Sequence, residues 1–239
     1  DVNLPDQSGL SVLERLKRDP VTRHIPVHML SVHDHLQTAL ELGAVGYALK
    51  PVARESVLEA FQKVEARLQQ QVRRVLVVED DAVLRESIGL MLKAGDVEIT
   101  TTGTVAQALE YLAAGHYDCM VMDLMLPDAS GYDLLEQMAS GEKYAFPPVI
   151  VYTGRALTRD EEQRLRRYSR SIIIKGAKSP ERLLDEVSLF LHRIEAALPQ
   201  DQQRLLAQAR QRDAVFEGRR ILLAEDDVRN VYALSSIFE

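Results

Sequence analysis

This chain of 239 residues has a single cysteine, no long apolar run and no excess of positive charge. The one cysteine, Cys119, cannot form an internal disulfide, and its apolar neighbours predict a small buried side chain in a reducing compartment. No stretch approaches the ~20 apolar residues of a membrane-spanning helix. The net charge of -7 and the pI near 5.5 argue against a nucleic-acid-binding surface. We expect a cytoplasmic chain with no nucleic-acid partner and no direct membrane contact, whatever its parent protein is attached to.

Two segments of the sequence occur twice. Residues 1–16, DVNLPDQSGLSVLERL, match residues 123–138, DLMLPDASGYDLLEQM, at 8 of 16 positions without a gap. RRVLVVEDD at 73–81 returns as RRILLAEDD at 219–227. The offsets of 122 and 146 residues are the size of a small domain. The repeats predict four segments: the C-terminal part of a first unit at 1–71, a complete second unit at 73–197, a bare helical linker at 198–218, and the first strand and helix of a third unit at 219–239.

Short apolar runs alternate with amphipathic helical stretches in the second unit, as is typical of βαβ units around a parallel sheet. Three runs are apolar throughout, which indicates strands covered by helices on both faces. The predicted strands are Val75–Val78, Val97–Thr101, Cys119–Met122, Val149–Tyr152 and Ile172–Ile174. The predicted helices are Val83–Lys93, Val105–Ala114, Tyr132–Ala139, Asp160–Tyr168 and Pro180–Ala197, the last with Ser179 as its N-cap.

Polar residues follow the predicted strands of the second unit. In an open parallel sheet, ligands collect at the carboxyl ends of the strands, so these side chains should converge. Three carboxylates in one cleft repel one another, and a hard cation such as Mg²⁺ removes that conflict. A lysine and a hydroxyl beside the cation can hold a phosphoryl group in line with a carboxylate nucleophile, for which the central Asp123 is the candidate. The residues concerned are Glu79, Asp80, Asp123, Thr153 and Lys175.

These residues lie in the motifs VVEDD, MDLMLPDASG, VIVYTG and IIIK, which together resemble the receiver domain of response regulators in bacterial two-component systems. The resemblance implies a flavodoxin-like, doubly wound α/β fold with five parallel strands in the order 2-1-3-4-5. It implies that Asp123 accepts a phosphoryl group from the phosphohistidine of a histidine kinase or phosphotransfer domain. Thr153 would sense that group and Lys175 would pair with it. The Mg²⁺ ligands would be Glu79, Asp80, Asp123 and the main-chain carbonyl of Met125.

The resemblance extends to both partial units. In the third unit Glu225 and Asp226 match the acidic pair, and LLAEDDVRNVYAL is similar to the terminal receiver of large hybrid sensor histidine kinases. Three receivers in series imply a multi-receiver kinase of that kind, with neighbouring receivers and a homodimer as partners, although this chain has no kinase catalytic region. The first unit's acidic pair is expected upstream of the chain, so that unit is not expected to be a metal-dependent acceptor here. Its matching residues are Asp1, Ser31, Lys50 and Pro51, with Tyr47 as the switch aromatic.

The second unit departs from the family's pattern at two positions. Gly176 follows Lys175 where the family usually has proline, and Ile172 stands where an aromatic switch residue is expected. The alternative hypothesis is therefore a receiver-like module for interaction or dimerisation that is not phosphorylated. An aspartyl phosphatase is less favoured, because Met125 occupies the position of its second acid.

Overall fold

A computed structural model of the chain describes residues 1–54, 57–58, 61–62, 65, 72–140, 146–176 and 179–213, with side-chain surroundings as far as residue 208. The helices are α1 Gly9–Arg18, α2 Leu36–Glu41, α3 Ala82–Leu92, α4 Val105–Ala114, α5 Gly131–Ala139, α6 Arg159–Leu165, α7 Ser179–Phe190 and α8 Gln200–Asp213. The strands are β1 His28–Ser31, β2 Gly46–Leu49, β3 Arg73–Val78, β4 Val97–Thr102, β5 Cys119–Met122, β6 Val149–Thr153 and β7 Ser171–Ile174. Much of a helix predicted near 57–68, and the predicted third unit with Glu225 and Asp226, lie outside the described residues.

Strands β3 to β7 form one parallel sheet, in the spatial order β4-β3-β5-β6-β7. Every residue of β5 and β6 is buried, because both faces of these strands are covered. The prediction of a flavodoxin-like parallel sheet between helices is confirmed. Cys119 is fully buried in β5, as predicted, and burial raises the pKa of its thiol above the ordinary value.

Two hydrophobic cores lie on opposite faces of this sheet, as the alternating direction of side chains along a strand requires. Alternate residues of β3 enter different cores, with Val75 and Val77 in one and Leu76 and Val78 in the other. The first core is completed by α3, α7 and α8, and the second by α4, α5 and α6. No helix in the described part of the chain is long and apolar enough to cross a membrane.

The first unit has a smaller core around a two-stranded parallel sheet. Strands β1 and β2 pair from His28 opposite Gly46 to Ser31 opposite Leu49. Helix α1 begins after Ser8, whose hydroxyl accepts a hydrogen bond from the Leu10 N–H at 3.2 Å. The buried apolar side chains of this core are Val2, Leu13, Met29, Ala39 and Ala44.

The chain after α7 differs from the prediction. Helix α7 ends at Phe190 instead of Ala197, because His192 adopts a left-handed φ of 53° and turns the chain. Helix α8 then packs on the second unit, with Leu206 buried in the first core. The Gln202 side chain donates hydrogen bonds to the carbonyls of Met91 and Lys93, at 2.8 and 3.2 Å, where α3 ends. The predicted linker helix is present, but it is not a bare connector.

The first unit lies against α6 and α7 of the second. Arg23, which is only 5% exposed, donates from Nη2 to Asp185 Oδ2 at 3.0 Å and from Nη1 to the other carboxylate oxygen. The Gln37 side chain donates to the Arg166 carbonyl, and the Arg166 guanidinium lies 3.8 Å from the Glu41 carboxylate. The sequence pattern predicted both of these helices, but it did not show that the first unit packs on them.

Candidate functional site

The carboxyl ends of three strands bring the predicted charged residues together. Glu79 and Asp80 follow β3, Asp123 follows β5, and Lys175 follows β7. The parallel register aligns these ends, since Val78 pairs with Met122 and Thr153 pairs with Ile174. The convergence predicted from the motifs is therefore present in the fold.

Lys175 joins two of the carboxylates. Its Nζ lies 2.6 Å from Asp123 Oδ2 and 2.7 Å from Glu79 Oε2. Both acidic side chains are almost inaccessible, with 7% and 3% exposure, and the lysine side chain is 19% exposed. Charge-assisted hydrogen bonds in such a partly desolvated place hold the three groups in one geometry.

The second oxygen of Asp123 is held by the backbone. Its Oδ1 accepts hydrogen bonds from the N–H groups of Leu124 at 2.6 Å and Met125 at 3.2 Å. The Asp123 N–H donates to the carbonyl of Val78 on the neighbouring strand, at 2.9 Å. The carboxylate is thus fixed in orientation by the strand and by the loop that follows it.

The donor set fits a hard divalent cation. Glu79, Asp80 and Asp123 each offer a carboxylate oxygen, and these oxygens lie within 4.8 Å of one another. Two of the three residues are buried and Asp80 is exposed, which leaves the site open to solvent on one side. Carboxylate oxygens are the ligands that Mg²⁺ and Ca²⁺ prefer. The third acid of the motif has a different task, because Asp81 caps α3 by accepting from the Val83 and Leu84 N–H groups at 2.9 and 3.0 Å.

The pKa values of two site residues depart from their ordinary range. Burial raises the pKa of the Glu79 carboxyl, and the charges of Asp123 and Asp80 add to the increase while Lys175 opposes it. Burial by itself would lower the pKa of Lys175, but its hydrogen bonds to Asp123 and Glu79 outweigh burial and the pKa is raised. Lys175 therefore remains a cation at neutral pH. Its single positive charge does not balance the three carboxylates of Glu79, Asp80 and Asp123.

Thr153 is fully buried at the end of β6. Its hydroxyl accepts a hydrogen bond from the Arg155 N–H at 3.4 Å. Its carbonyl accepts from the Lys175 N–H at 2.7 Å, so the hydroxyl residue and the lysine are tied together through the backbone.

The first unit repeats part of this arrangement. Lys50 Nζ lies 2.6 Å from Asp1 Oδ2, and the Lys50 N–H donates to the Ser31 carbonyl at 2.7 Å. Ser31 is fully buried, as Thr153 is. The peptide bond between Lys50 and Pro51 is cis. Across the described ranges, the group of carboxylates close enough to hold a metal is that of the second unit.

Sequence reasoning missed one anchor of the site. The Asp128 carboxylate accepts hydrogen bonds from the Val105 and Ala106 N–H groups, both at 2.9 Å, and so joins the loop after β5 to the start of α4. These bonds lower the pKa of Asp128. The signal was in the repeat, since the LPD of residues 126–128 matches the LPD of residues 4–6.

A second omission concerns Ser179. It begins α7 instead of preceding it, and its hydroxyl bonds to Tyr152 and to the backbone of Gly176. Sequence spacing could not show that the two hydroxyls meet, because they are 27 residues apart.

An aspartate, an acidic pair and a lysine at the carboxyl end of a five-stranded parallel sheet define a receiver-type site, and comparison with known proteins agrees. The family model described as the response regulator receiver domain matches residues 1–62 and 75–188. The chain belongs to this family. It contains a receiver domain of two-component phosphorelay signalling.

Similar proteins include the cell cycle response regulator CtrA of Brucella ovis and of Brucella abortus, both 33% identical over 88 residues. The match covers 37% of this chain and 37% of each relative, so it spans little more than a third of their length. Among solved structures, the non-phosphorylated HemR receiver domain of Leptospira biflexa is 25% identical, with a TM-score of 0.44, covering 54% of this chain and 97% of its own. The receiver domain of a Pseudomonas aeruginosa sensor histidine kinase, with magnesium coordinated in its active-site cleft, is also 25% identical, with a TM-score of 0.44 and coverage of 50% and 98%.

Proposed function

We propose that the second unit accepts a phosphoryl group on Asp123 from a phosphohistidine, with Mg²⁺ as cofactor. The observation that carries this proposal is the convergence of Glu79, Asp80 and Asp123 on the Lys175 side of the sheet edge. Three carboxylates and one ammonium leave a formal charge of -2, which a divalent cation balances. The proposed ligands are Glu79, Asp80, Asp123 and the main-chain carbonyl of Met125.

The reaction is a transfer between two nucleophiles. An oxygen of the Asp123 carboxylate forms the new O–P bond while the P–N bond of the phosphohistidine breaks, and the bonding pair returns to the imidazole. Lys175 moves from the carboxylate to the transferred phosphoryl oxygens, and the Thr153 hydroxyl donates to one of them. Bound Mg²⁺ supplies further positive charge at the phosphoryl group. The product is an acyl phosphate, which changes the charge at the carboxyl end of the sheet.

The wider setting is also a proposal. We assign residues 1–71 to a first receiver, 73–197 to the second, 198–218 to a connecting helix and 219–239 to a third receiver. The support is the repeated lysine–aspartate pair of the first unit and the two separate stretches that match the family model. Such a series belongs in a multi-receiver hybrid histidine kinase of the cytoplasm. Its partners are a histidine kinase or phosphotransfer domain, the neighbouring receivers and a second copy of the chain.

A second candidate function is a receiver-like interaction module that is not phosphorylated. The observation that favours it is the buried contact between Arg23 and Asp185, by which the first unit already occupies the α6 and α7 face of the second. Gly176 and Ile172, which replace the usual proline and aromatic residue, fit this reading as well.

The decisive experiment is intact-mass spectrometry of the chain after incubation with acetyl phosphate, with and without Mg²⁺. One phosphoryl adduct that requires Mg²⁺, is lost in Asp123→Asn and survives in the matched variant Asp1→Asn would establish Asp123 as the acceptor. Absence of an adduct on folded protein would favour the interaction module.

A further inference from the structure

A pair of buried hydroxyls lies behind the lysine of the site. The Tyr152 hydroxyl and the Ser179 Oγ are 2.7 Å apart, and the two residues are only 4% and 6% exposed. Ser179 Oγ also accepts from the Gly176 N–H at 2.9 Å and donates to the Gly176 carbonyl at 2.8 Å. Because the single serine proton goes to that carbonyl, the tyrosine must be the donor of the pair. The serine hydroxyl thus has its one donor and both acceptor positions filled.

This pair is connected to Lys175 in two ways. Gly176 is the next residue in the chain, so the serine holds the backbone immediately after the lysine. The Lys175 Nζ lies 5.6 Å from the centroid of the Tyr152 ring, within the range of a cation–π contact. The same tyrosine therefore contacts the lysine's ammonium with its ring and anchors the following loop with its hydroxyl.

The first unit holds its lysine differently. Lys50 is followed by Pro51, whose ring fixes the backbone φ angle without any side-chain partner. Leu30 stands at the position of Tyr152 and Arg54 at that of Ser179, so neither member of the hydroxyl pair is present there. Gly176 has no such restriction on φ and loses more conformational entropy on ordering than any other residue. The second unit therefore needs another constraint at the place where the first unit has proline.

We propose that Tyr152 and Ser179 are positioning residues that hold Lys175 at the carboxylates, in the role that proline fills in the first unit. This inference rests on the proposed function, because it assigns Lys175 to the phosphoryl group. Neither hydroxyl contacts the reacting atoms, so both act through the lysine.

The test compares the rates of Mg²⁺-dependent acyl phosphate formation from acetyl phosphate in variants of the full chain. Tyr152→Phe and Ser179→Ala each remove one partner of the pair, and the rate is expected to fall about tenfold, as the loss of one well-placed hydrogen bond allows. Ser179→Thr keeps the hydroxyl and should restore most of the rate. Tyr132→Phe is the matched control, because the buried Tyr132 hydroxyl has no hydrogen-bond partner within the described part of the chain.

A double-mutant cycle separates positioning from general stability. In a Lys175→Met background, Tyr152→Phe should cause no further loss of rate, because the group through which it acts is gone. A similar loss with and without the lysine, or no loss in the parent chain, would overturn the inference.

Amide hydrogen exchange gives a readout that needs no phosphorylation. The Gly176 amide should exchange faster in Ser179→Ala and Tyr152→Phe than in the parent chain, and unchanged protection would also refute the inference. If the parent chain forms no adduct at all, the proposed function fails, while the exchange measurement still decides whether the hydroxyl pair orders the loop.

Discussion

The two lysine–aspartate pairs of this chain have the same distance between Nζ and Oδ2 and different surroundings. Lys50 lies 2.6 Å from Asp1, and Lys175 lies 2.6 Å from Asp123. The Lys50 and Asp1 side chains are 41% and 26% exposed, whereas those of Lys175 and Asp123 are 19% and 7% exposed. In the second unit the lysine also binds Glu79, so its site has excess negative charge that the first pair, which is neutral by itself, does not have. A divalent cation would offset this excess negative charge at the second site.

The two units also differ at the strand residue three positions before each lysine. In the first unit the Tyr47 hydroxyl donates to the His33 carbonyl and accepts from the His35 N–H, which ties β2 to the loop after β1. Ile172, at the corresponding position of β7, has no polar atom in its side chain and packs against the second core. The distance within the lysine–aspartate pair is thus the same in both units. The neighbouring contacts differ, because the first unit has the Tyr47 hydrogen bonds where the second has the apolar packing of Ile172.

Replacing the two lysines should give the largest contrast. Lys175→Met is expected to slow acyl phosphate formation about 100-fold, because it removes the cation that we propose stabilises the transferred phosphoryl oxygens. Lys50→Met should leave the rate on the second unit unchanged. Rates from intact-mass time courses would decide this, and equal loss in both variants would break the distinction between the units.

The next largest effect should come from breaking the ion pair between Arg23 and Asp185, which joins the two units. Arg23→Ala removes a buried guanidinium from Asp185 and should lower the free energy of unfolding by about 2 kcal/mol, since the acid remains partly solvated. Urea unfolding followed by circular dichroism measures this. Arg18→Ala is the control, because its pair with Glu14 is exposed and should contribute less than about 0.5 kcal/mol.

Removing the Tyr47 hydroxyl should have a smaller effect, confined to the first unit. Tyr47→Phe is expected to cost about 1 kcal/mol in unfolding free energy, the usual value of a hydrogen bond that is lost without repacking. Tyr132→Phe provides the comparison, as its hydroxyl has no partner to lose among the residues that the structure covers. Equal effects of the two variants would show that the bonds to His33 and His35 do not stabilise the unit.

One lysine in each unit has a shifted pKa, and the two shifts have opposite directions. Burial, with the nearby charge of Arg23, lowers the pKa of Lys17 from 10.5 to about 8, whereas the pKa of Lys175 is raised. Between pH 8 and 10.5 the unfolded chain therefore binds more protons at Lys17 than the folded chain, so this residue makes the unfolding free energy rise with pH. Lys175 acts in the opposite direction, since its contribution is lost as the pH rises through its folded pKa.

Unfolding curves at several pH values would test this smallest effect. The difference between the parent chain and Lys17→Met should grow between pH 8 and pH 10.5, in favour of the parent. A constant difference over that interval would mean that Lys17 keeps its ordinary pKa in the folded state.

Much of the second unit could be predicted because its signals are local. Apolar runs such as Cys119–Met122 indicate strands buried on both faces, and β5 has these bounds in the structure. The end of α7 could not be predicted, because the helical pattern continues acceptably to Ala197 and a single histidine does not identify the reversal at His192. The docking of α8 was missed for a related reason, since its weak apolar stripe does not identify the surface it covers.

The sequence by itself determined which chemical groups meet at the site, because parallel strands place their carboxyl ends on one edge whatever lies around them. Glu79, Asp123 and Lys175 were found in this way. Only the tertiary structure decided how those groups are held. The pairing of Tyr152 with Ser179 and the contact of Arg23 with Asp185 join residues that are 27 and 162 positions apart. Such contacts depend on the angles at which helices pack on the sheet, and no local pattern of residues encodes them.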